Sequence, residues 1–229
     1  MKDYGIILNM VDMMKKIRFD DCICQSKLID HSEVRDKILY EIDNDDSLYR
    51  QRRHNEDNNL YSPHISKLDW SVSTNFERPW VKIIYNKFFS TLKDMVNSMG
   101  YMGVSLSNIW YQQYLEGDTH EWHIHGHHFT GVYYLEYPRG CSETEFCAPF
   151  DLRHKKINAV EGDLIVFPAH CIHRGLPNGK LRKTIISFNF DAITDPVDGK
   201  SPLDLDLIED SNLKKNKNVS FIRGGYVGK

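Results

Sequence analysis

Apolar positions change their period near residue 103, from a repeat of three and four to alternation in short runs, and this divides the chain into two halves. In the first half Val34, Ile38, Leu39 and Ile42 fall on one helical face, and Asp30 followed by Glu33 has the spacing of a capping box. Together they predict a helix over 31–43. A stronger signal lies at 79–99, where Pro79 suits a first helical position, Trp80, Ile83, Ile84, Phe88, Leu92, Met95, Val96 and Met99 recur at three and four, and Gly100 supplies the stop. Such an aromatic and methionine stripe is a core face, expected to buttress the outside of a sheet. Residues 44–59, rich in Asp, Asn and Arg, read as a solvated loop, and 19–29 can hold a strand around Cys22-Ile23-Cys24.

The second half is a series of short runs rich in Trp, Tyr, Ile, Val and Phe, at 107–114, 120–125, 129–136, 156–160, 164–167, 171–174 and 183–190. Glu161-Gly162-Asp163 marks a turn between two of them. No internal repeat is visible. Many short strands, with helices confined to the N-terminal half, predict an α+β, mainly β fold: an antiparallel sandwich or barrel preceded by supporting helices. The 229 residues fit a single domain, with helical support over 1–104, a β core over 105–191 and a tail over 192–229. From Ser211 onward that tail is basic and is expected to be a solvated terminus.

Composition narrows the class. Hydrophobic residues make 41% and charged residues 27%, which favours neither a disordered nor a membrane protein, and no run approaches the length that spans a bilayer. The net charge of −3, from 29 basic and 32 acidic residues, gives no global reason to expect nucleic-acid binding. Five cysteines without a Cys-x-x-Cys pair argue against a disulfide framework and a zinc ribbon, so reduced thiols and a cytoplasmic location are expected. Near the start, Gly5-Ile6-Ile7-Leu8 is broken by Asn9, Asp12, Lys15 and Lys16 with no small-residue cleavage site, so no signal peptide is predicted.

Of the 11 histidines, five crowd into 120–128. On a strand, His123 and His125 point to one face because side chains alternate with period two. His127 shares that parity, but Gly126 is expected to end or bend the strand, which favours the His123/His125 pair. For a third position His170, at a turn, competes with His173, inside a short strand and in parity with Cys171; His173 is favoured. A lone His-x-His is as readily a pair of surface imidazoles, so the distal histidine and the flanking pattern carry the metal reading. Three such ligands form a facial set with positions left open for substrate and oxygen.

Read in order, the segments 108–118, Trp122-His123-Ile124-His125, Gly131-Val132-Tyr133-Tyr134-Leu135, 161–168, His173 and Lys183-Thr184-Ile185-Ile186-Ser187-Phe188-Asn189 resemble the iron(II)- and 2-oxoglutarate-dependent oxygenases. Within that superfamily the chain is most similar to the small prolyl-hydroxylase-like members often encoded by bacteria and tailed phages. The resemblance covers about 105–191 and rests on the ordered combination of motifs rather than on any one. It implies a double-stranded β-helix, or jelly roll, of cupin-like build, with Fe(II) at one mouth held by His123, His125 and His173. It also implies use of O2 and 2-oxoglutarate, release of succinate and CO2, and hydroxylation of a substrate. One position departs from the wider pattern: His125 stands where a carboxylate is usual, which leaves the metal centre one unit more positive and changes its redox poise and metal preference. His-x-His variants occur within the phage-like group.

The resemblance also implies a basic residue for the far carboxylate of 2-oxoglutarate, on the strand after the distal histidine. Lys183, in parity with Ser187 and Asn189, takes the family's place; Arg182, in parity with Thr184, reproduces a basic-x-hydroxyl arrangement and offers a bidentate fork. Tyr114 and Tyr134 match positions where related enzymes place tyrosine hydroxyls near the cosubstrate, and Trp122 and Gln112 stand near the same pocket without an assigned role. Two other readings stay open: a cupin-like three-His metal-binding protein, with zinc or a silent iron site and no 2-oxoglutarate turnover, and a three-His thiol dioxygenase, which the Arg182-Lys183 pair argues against. The primary substrate, whether peptidyl, nucleobase or small metabolite, and the oligomeric state are not legible.

Overall fold

The structure, a computed structural model, describes residues 23–45, 64–148 and 152–193. In chain order the elements are β1 (Cys24–Lys27), α1 (His31–Asp43), β2 (Lys67–Leu68), a 3-10 turn (Trp70–Val72), α2 (Pro79–Ser98), β3 (Gly103–Tyr114), β4 (His120–His123), β5 (Phe129–Glu136), β6 (Thr144–Cys147), β7 (His154–Lys156), β8 (Asp163–Pro168), β9 (Ile172–Gly175) and β10 (Lys183–Ile193). Two antiparallel sheets result, one ordered β1-β8-β5-β10-β3-β2 and the other β4-β9-β6-β7. From β3 onward the strands are dealt between the two sheets and, the β6–β7 hairpin apart, each pairs with a strand distant in sequence, which is the winding of a double-stranded β-helix. The edge strands β1 and β2 extend the larger sheet. The fold is therefore α+β, mainly β, a jelly roll with supporting helices.

Strand parity sorts the side chains between two cores. Ile109, Tyr111, Tyr133, Leu164, Val166, Ile186 and Phe188 face outward from the larger sheet and pack against Val34, Ile38 and Ile42 of α1 and Ile84, Phe88, Leu92 and Val96 of α2. Phe88 meets Phe188 edge-on at 4.7 Å between centroids. The alternate set, including Trp110, Tyr114, Val132, Tyr134, Ile165, Phe167 and Ile185, lies between the sheets with Phe146 of the smaller one. At Gly131 a Cβ would collide with the Phe188 ring and the Ile165 carbonyl of the two neighbouring strands, so only glycine lets the Phe188 ring lie across β5 within the larger sheet. No helix among the described residues is long and apolar enough to cross a membrane.

A buried polar knot joins the helical support to the sheet. The Asp69 carboxylate, fully buried, pairs with Arg78 and accepts hydrogen bonds from Trp80 Nε1 at 3.0 Å and the Tyr111 amide at 2.7 Å. Burial pushes this carboxyl up to about 6, against the opposing pull of the Arg78 guanidinium.

Both helices form as their periodicity predicts, with Pro79 at the start of α2 and Gly100 at φ +90 just beyond its end. The capping box before α1 does not form. Asp30 is left-handed at φ 58 and makes no side-chain cap; its carboxylate and that of Glu33 bind Lys87 of α2 instead. That backbone conformation turns the carboxylate away from the first-turn amides, and a lysine ammonium takes their place. The first strand begins at Cys24 and pairs with β8, while the expected residues 19–22 lie outside the described ones. Most of the loop expected at 44–59, and the basic tail, also lie outside them. The sequence pattern missed β6 and placed a strand at 156–160 where the structure has β7 at His154–Lys156. All three residues of β7 are exposed, so this edge strand lacks the alternation that betrays its neighbours.

Candidate metal centre and adjoining pocket

Antiparallel pairing of β4 with β9 sets His123 directly opposite His173, with ring centroids 4.1 Å apart. Each ring is fixed by its own strand: His123 Nδ1 donates to the Glu121 carbonyl at 2.7 Å, and His173 Nδ1 donates to the Cys171 carbonyl at 2.9 Å. A carbonyl only accepts, so both protons sit on Nδ1 and both Nε2 lone pairs stay free.

His125 arrives by another route. The strand expected over 120–125 ends at His123, after a register irregularity between His120 and His123, so alternation along one strand does not bring the His123/His125 pair together. A cross-tie does: the His125 amide donates to the Ala169 carbonyl at 2.9 Å, and the Ala169 amide donates to the His128 carbonyl at 3.0 Å. His125 Nε2 thereby comes to 3.3 Å from His173 Nε2. One nitrogen from each of His123, His125 and His173 lies within 4.8 Å of the others. His170, the competing distal candidate, is exposed on the turn. His127 turns away and pairs with buried Asp191 at 3.2 Å.

Burial lowers all three imidazoles, His125 to about 3 and His173 well below the ordinary range, with the neighbouring rings adding to the shift at these two. They are neutral near pH 7, as nitrogen ligands must be. Three convergent, uncharged donors fit a divalent transition metal.

From the histidines a narrow pocket runs between the sheets past Trp110, Gln112, Tyr114, Tyr134 and Thr144 to Lys183, with about 30 Å³ of free space. That volume holds about one water, so any larger ligand enters only as lining side chains turn aside. At the inner end Lys183 is 3% exposed; its Nζ donates to Ser142 Oγ at 2.8 Å and the Ser142 carbonyl at 3.2 Å, and lies 4.3 Å from the centroid of the Tyr114 ring. Among the described residues no carboxylate is within ion-pair distance of it, and burial lowers its pKa to about 8. Arg182 points to the opposite face, with Glu136 at 2.8 Å and Asp43 at 2.9 Å. The pocket thus joins Lys183, and not Arg182, to the three imidazoles.

Tyr114 and Tyr134 both line the pocket. The Tyr114 hydroxyl donates to Gln112 Oε1 at 2.7 Å, and the Tyr134 hydroxyl shares a hydrogen bond of 2.7 Å with Thr144 Oγ1; burial raises both phenols, Tyr134 to about 12. Sequence reasoning missed Ser142 and Thr144, which lie after β5 and on the unrecognised β6 and belong to no motif. It also passed over His120, stacked on His123 at 3.8 Å and lining the pocket, although the histidine cluster contained it. A larger hollow of about 400 Å³, lined by Tyr137, Arg139, Cys141 and Lys156 among others, holds none of the histidines and adjoins the pocket wall where Tyr137 meets Tyr134 and Ser142 meets Lys183.

A jelly roll with a three-imidazole centre at one mouth and a buried lysine at the far end of the adjoining pocket is what fold and site define. No family model matches the chain, and no curated protein sequence matches it. Solved structures do. A prolyl hydroxylase from Trichoplax adhaerens, in complex with a hypoxia inducible factor oxygen degradation domain peptide fragment, aligns over 81% of this chain and 88% of its own at a TM-score of 0.54 and 16% identity. A Pseudomonas putida prolyl-4-hydroxylase aligns over 76% and 93% at 0.52 and 15%. The viral collagen prolyl hydroxylase of Paramecium Bursaria Chlorella virus-1, as its 2OG complex, aligns over 75% and 96% at 0.51 and 17%. The chain therefore has the fold of the 2-oxoglutarate-dependent prolyl hydroxylases, the superfamily its motifs resemble.

Proposed function

We propose that this protein is an Fe(II)- and 2-oxoglutarate-dependent dioxygenase that hydroxylates a substrate with release of succinate and CO2. The observation that carries this reading is Lys183, a buried ammonium without a counter-ion among the described residues, at the inner end of the pocket that opens at the three imidazoles. A structural metal site has no use for such a cation. A dicarboxylate that reaches the metal with one end and Lys183 with the other neutralises it.

In this reading His123, His125 and His173 hold Fe(II), and Lys183 binds the far carboxylate in exchange for its contacts with Ser142. Arg182 is already satisfied by Glu136 and Asp43 and serves the fold. Tyr114 and Tyr134, with the Ser142 and Thr144 hydroxyls, offer donors along the pocket wall, and the apolar walls exclude water. When bound, iron and 2-oxoglutarate supply the oxygen chemistry: O2 is reduced as the keto acid is decarboxylated, one oxygen atom entering succinate and the other the substrate C–H bond. A cytoplasmic setting, in which the cysteines stay reduced, belongs to the same reading.

One observation favours a second reading. Three imidazoles without a carboxylate also suit zinc, as in a cupin-like metal-binding protein that turns over no 2-oxoglutarate. Anaerobic titration of Fe(II) and then 2-oxoglutarate separates the two. Under the oxygenase reading a weak visible charge-transfer band develops only with both additions and is absent from His173→Ala. Iron bound without such a band overturns that reading and leaves the metal-binding protein.

A further inference from the structure

The three imidazoles are not anchored alike. His123 and His173 each give Nδ1–H to a main-chain carbonyl two residues earlier. His125 lies beyond the end of β4, and among the described residues no carbonyl does this for it. From outside the histidine cluster the Trp110 ring lies 6.0 Å from that of His125, and Asn189 of β10, paired with the pocket-lining Thr130, has a hydrogen-bonding influence on it that opposes the lowering by burial. Asn189 is 3% exposed, and its Oδ1 is a buried acceptor with no hydrogen-bond partner among the described residues. Unpaired buried acceptors are rare and costly, and this one adjoins the imidazole whose outer nitrogen lacks a main-chain acceptor.

We propose that Asn189 Oδ1 accepts the Nδ1–H of His125 when metal is bound and fixes that ring with Nε2 on the ion, an assignment that rests on the three-imidazole metal centre proposed above. Asn189 is then a positioning residue, doing for His125 what main-chain carbonyls do for the other two. The hydrogen bond sets the tautomer and stops the ring from rotating about its Cβ–Cγ bond. Being neutral, an asparagine leaves the positive charge of the centre intact. Its placement follows from β10 itself: Lys183, Ile185, Ser187 and Asn189 share one face, so a single strand reaches both ends of the pocket.

The test uses the full chain and Co(II), an oxygen-tolerant probe, in competition with a chelating indicator. Asn189→Ala is expected to weaken Co(II) binding by roughly 10- to 100-fold, and Asn189→Asp, which keeps an acceptor and adds negative charge, to bind at least as tightly as the wild type. In proton spectra of the Co(II) form, each ligand imidazole contributes one strongly shifted exchangeable N–H signal. The wild type and Asn189→Asp should show the His125 signal, and Asn189→Ala should lose it to solvent exchange while keeping those of His123 and His173. Wild-type affinity with all three signals in Asn189→Ala overturns the assignment while leaving the metal centre standing. Absence of Co(II) binding in the wild type, or unchanged binding in His173→Ala, overturns the centre itself. Should Asn189→Ala fail to fold, Asn189→Asp decides: weakened binding or loss of the His125 signal there overturns the assignment.

Discussion

Replacing Lys183 by Met should move stability and cosubstrate binding in opposite directions. Burial depresses the Lys183 pKa from 10.5 to about 8, so below pH 8 the folded protein holds a charge that the unfolded chain carries at no such cost. The sign follows from linkage: a depressed folded pKa gives stability that is present above pH 10.5 and is lost as pH falls through 8. A shift of that size corresponds to about 3 kcal/mol, so Lys183→Met, of similar length and uncharged, should stabilise the ligand-free protein near pH 7 by up to about that amount. For 2-oxoglutarate the effect reverses, since truncating one partner of a buried, hydrogen-bonded charge pair costs about 2–5 kcal/mol, a rise of about 30-fold to several thousand-fold in Kd. The assays are urea denaturation of the apo-protein and anaerobic titration of 2-oxoglutarate into the Fe(II) form. Arg182→Ala is the control. It should leave 2-oxoglutarate affinity within about threefold, because Arg182 faces Glu136 and Asp43 rather than the pocket. An unchanged 2-oxoglutarate requirement in Lys183→Met, or a large rise in Arg182→Ala, refutes the reasoning.

Other outcomes follow from the same geometry. His123→Ala and His173→Ala should each abolish Fe(II)-dependent succinate formation, and activity retained in either rules out the triad. Restoring the superfamily's usual ligand with His125→Asp should keep the charge-transfer band; its loss would mean that an imidazole is required at this position. Asp69→Ala strands the buried Arg78 guanidinium and should cost about 3–5 kcal/mol in a denaturant melt, whereas a loss below about 1 kcal/mol would show that the knot is dispensable. Gly131→Ala forces a Cβ into Phe188 and the Ile165 carbonyl and should destabilise by about 1–3 kcal/mol or more; a neutral change would mean that the Phe188 ring can swing off β5.

Much of the scaffold was legible because it depends on local period. The stripe from Trp80 to Met99, bounded by Pro79 and Gly100, specifies a helix whatever lies beside it, and the runs at 107–114, 129–136, 164–167 and 183–190 specify strands with one face toward each core, which the structure extends by a few residues at some ends. That His123 and His173 each sit within a short strand was open to the same reasoning, whereas the pairing of those strands was not. The exposed β7 carried no such signal, because an edge strand buries too little to need a pattern. The Asp30–Glu33 capping box shows the converse failure: a valid local motif lost to Lys87, a partner 57 residues from Asp30.

By itself, then, the sequence determined which segments are helix and strand, which residues share a face, and that histidines of metal-binding pattern lie among them. Parity shows that Arg182 and Lys183 point opposite ways, but not which way is inward. Only the packing of α1 and α2 on one face of the larger sheet, and of the smaller sheet on the other, sent Lys183 into the pocket and Arg182 to Glu136 and Asp43. Tertiary structure likewise delivered His125 through Ala169, and set Ser142 under Lys183 and Asn189 opposite the pocket-lining Thr130. Such contacts join segments tens of residues apart through the winding of the two sheets, whereas periodicity reports only on residues a few positions from one another.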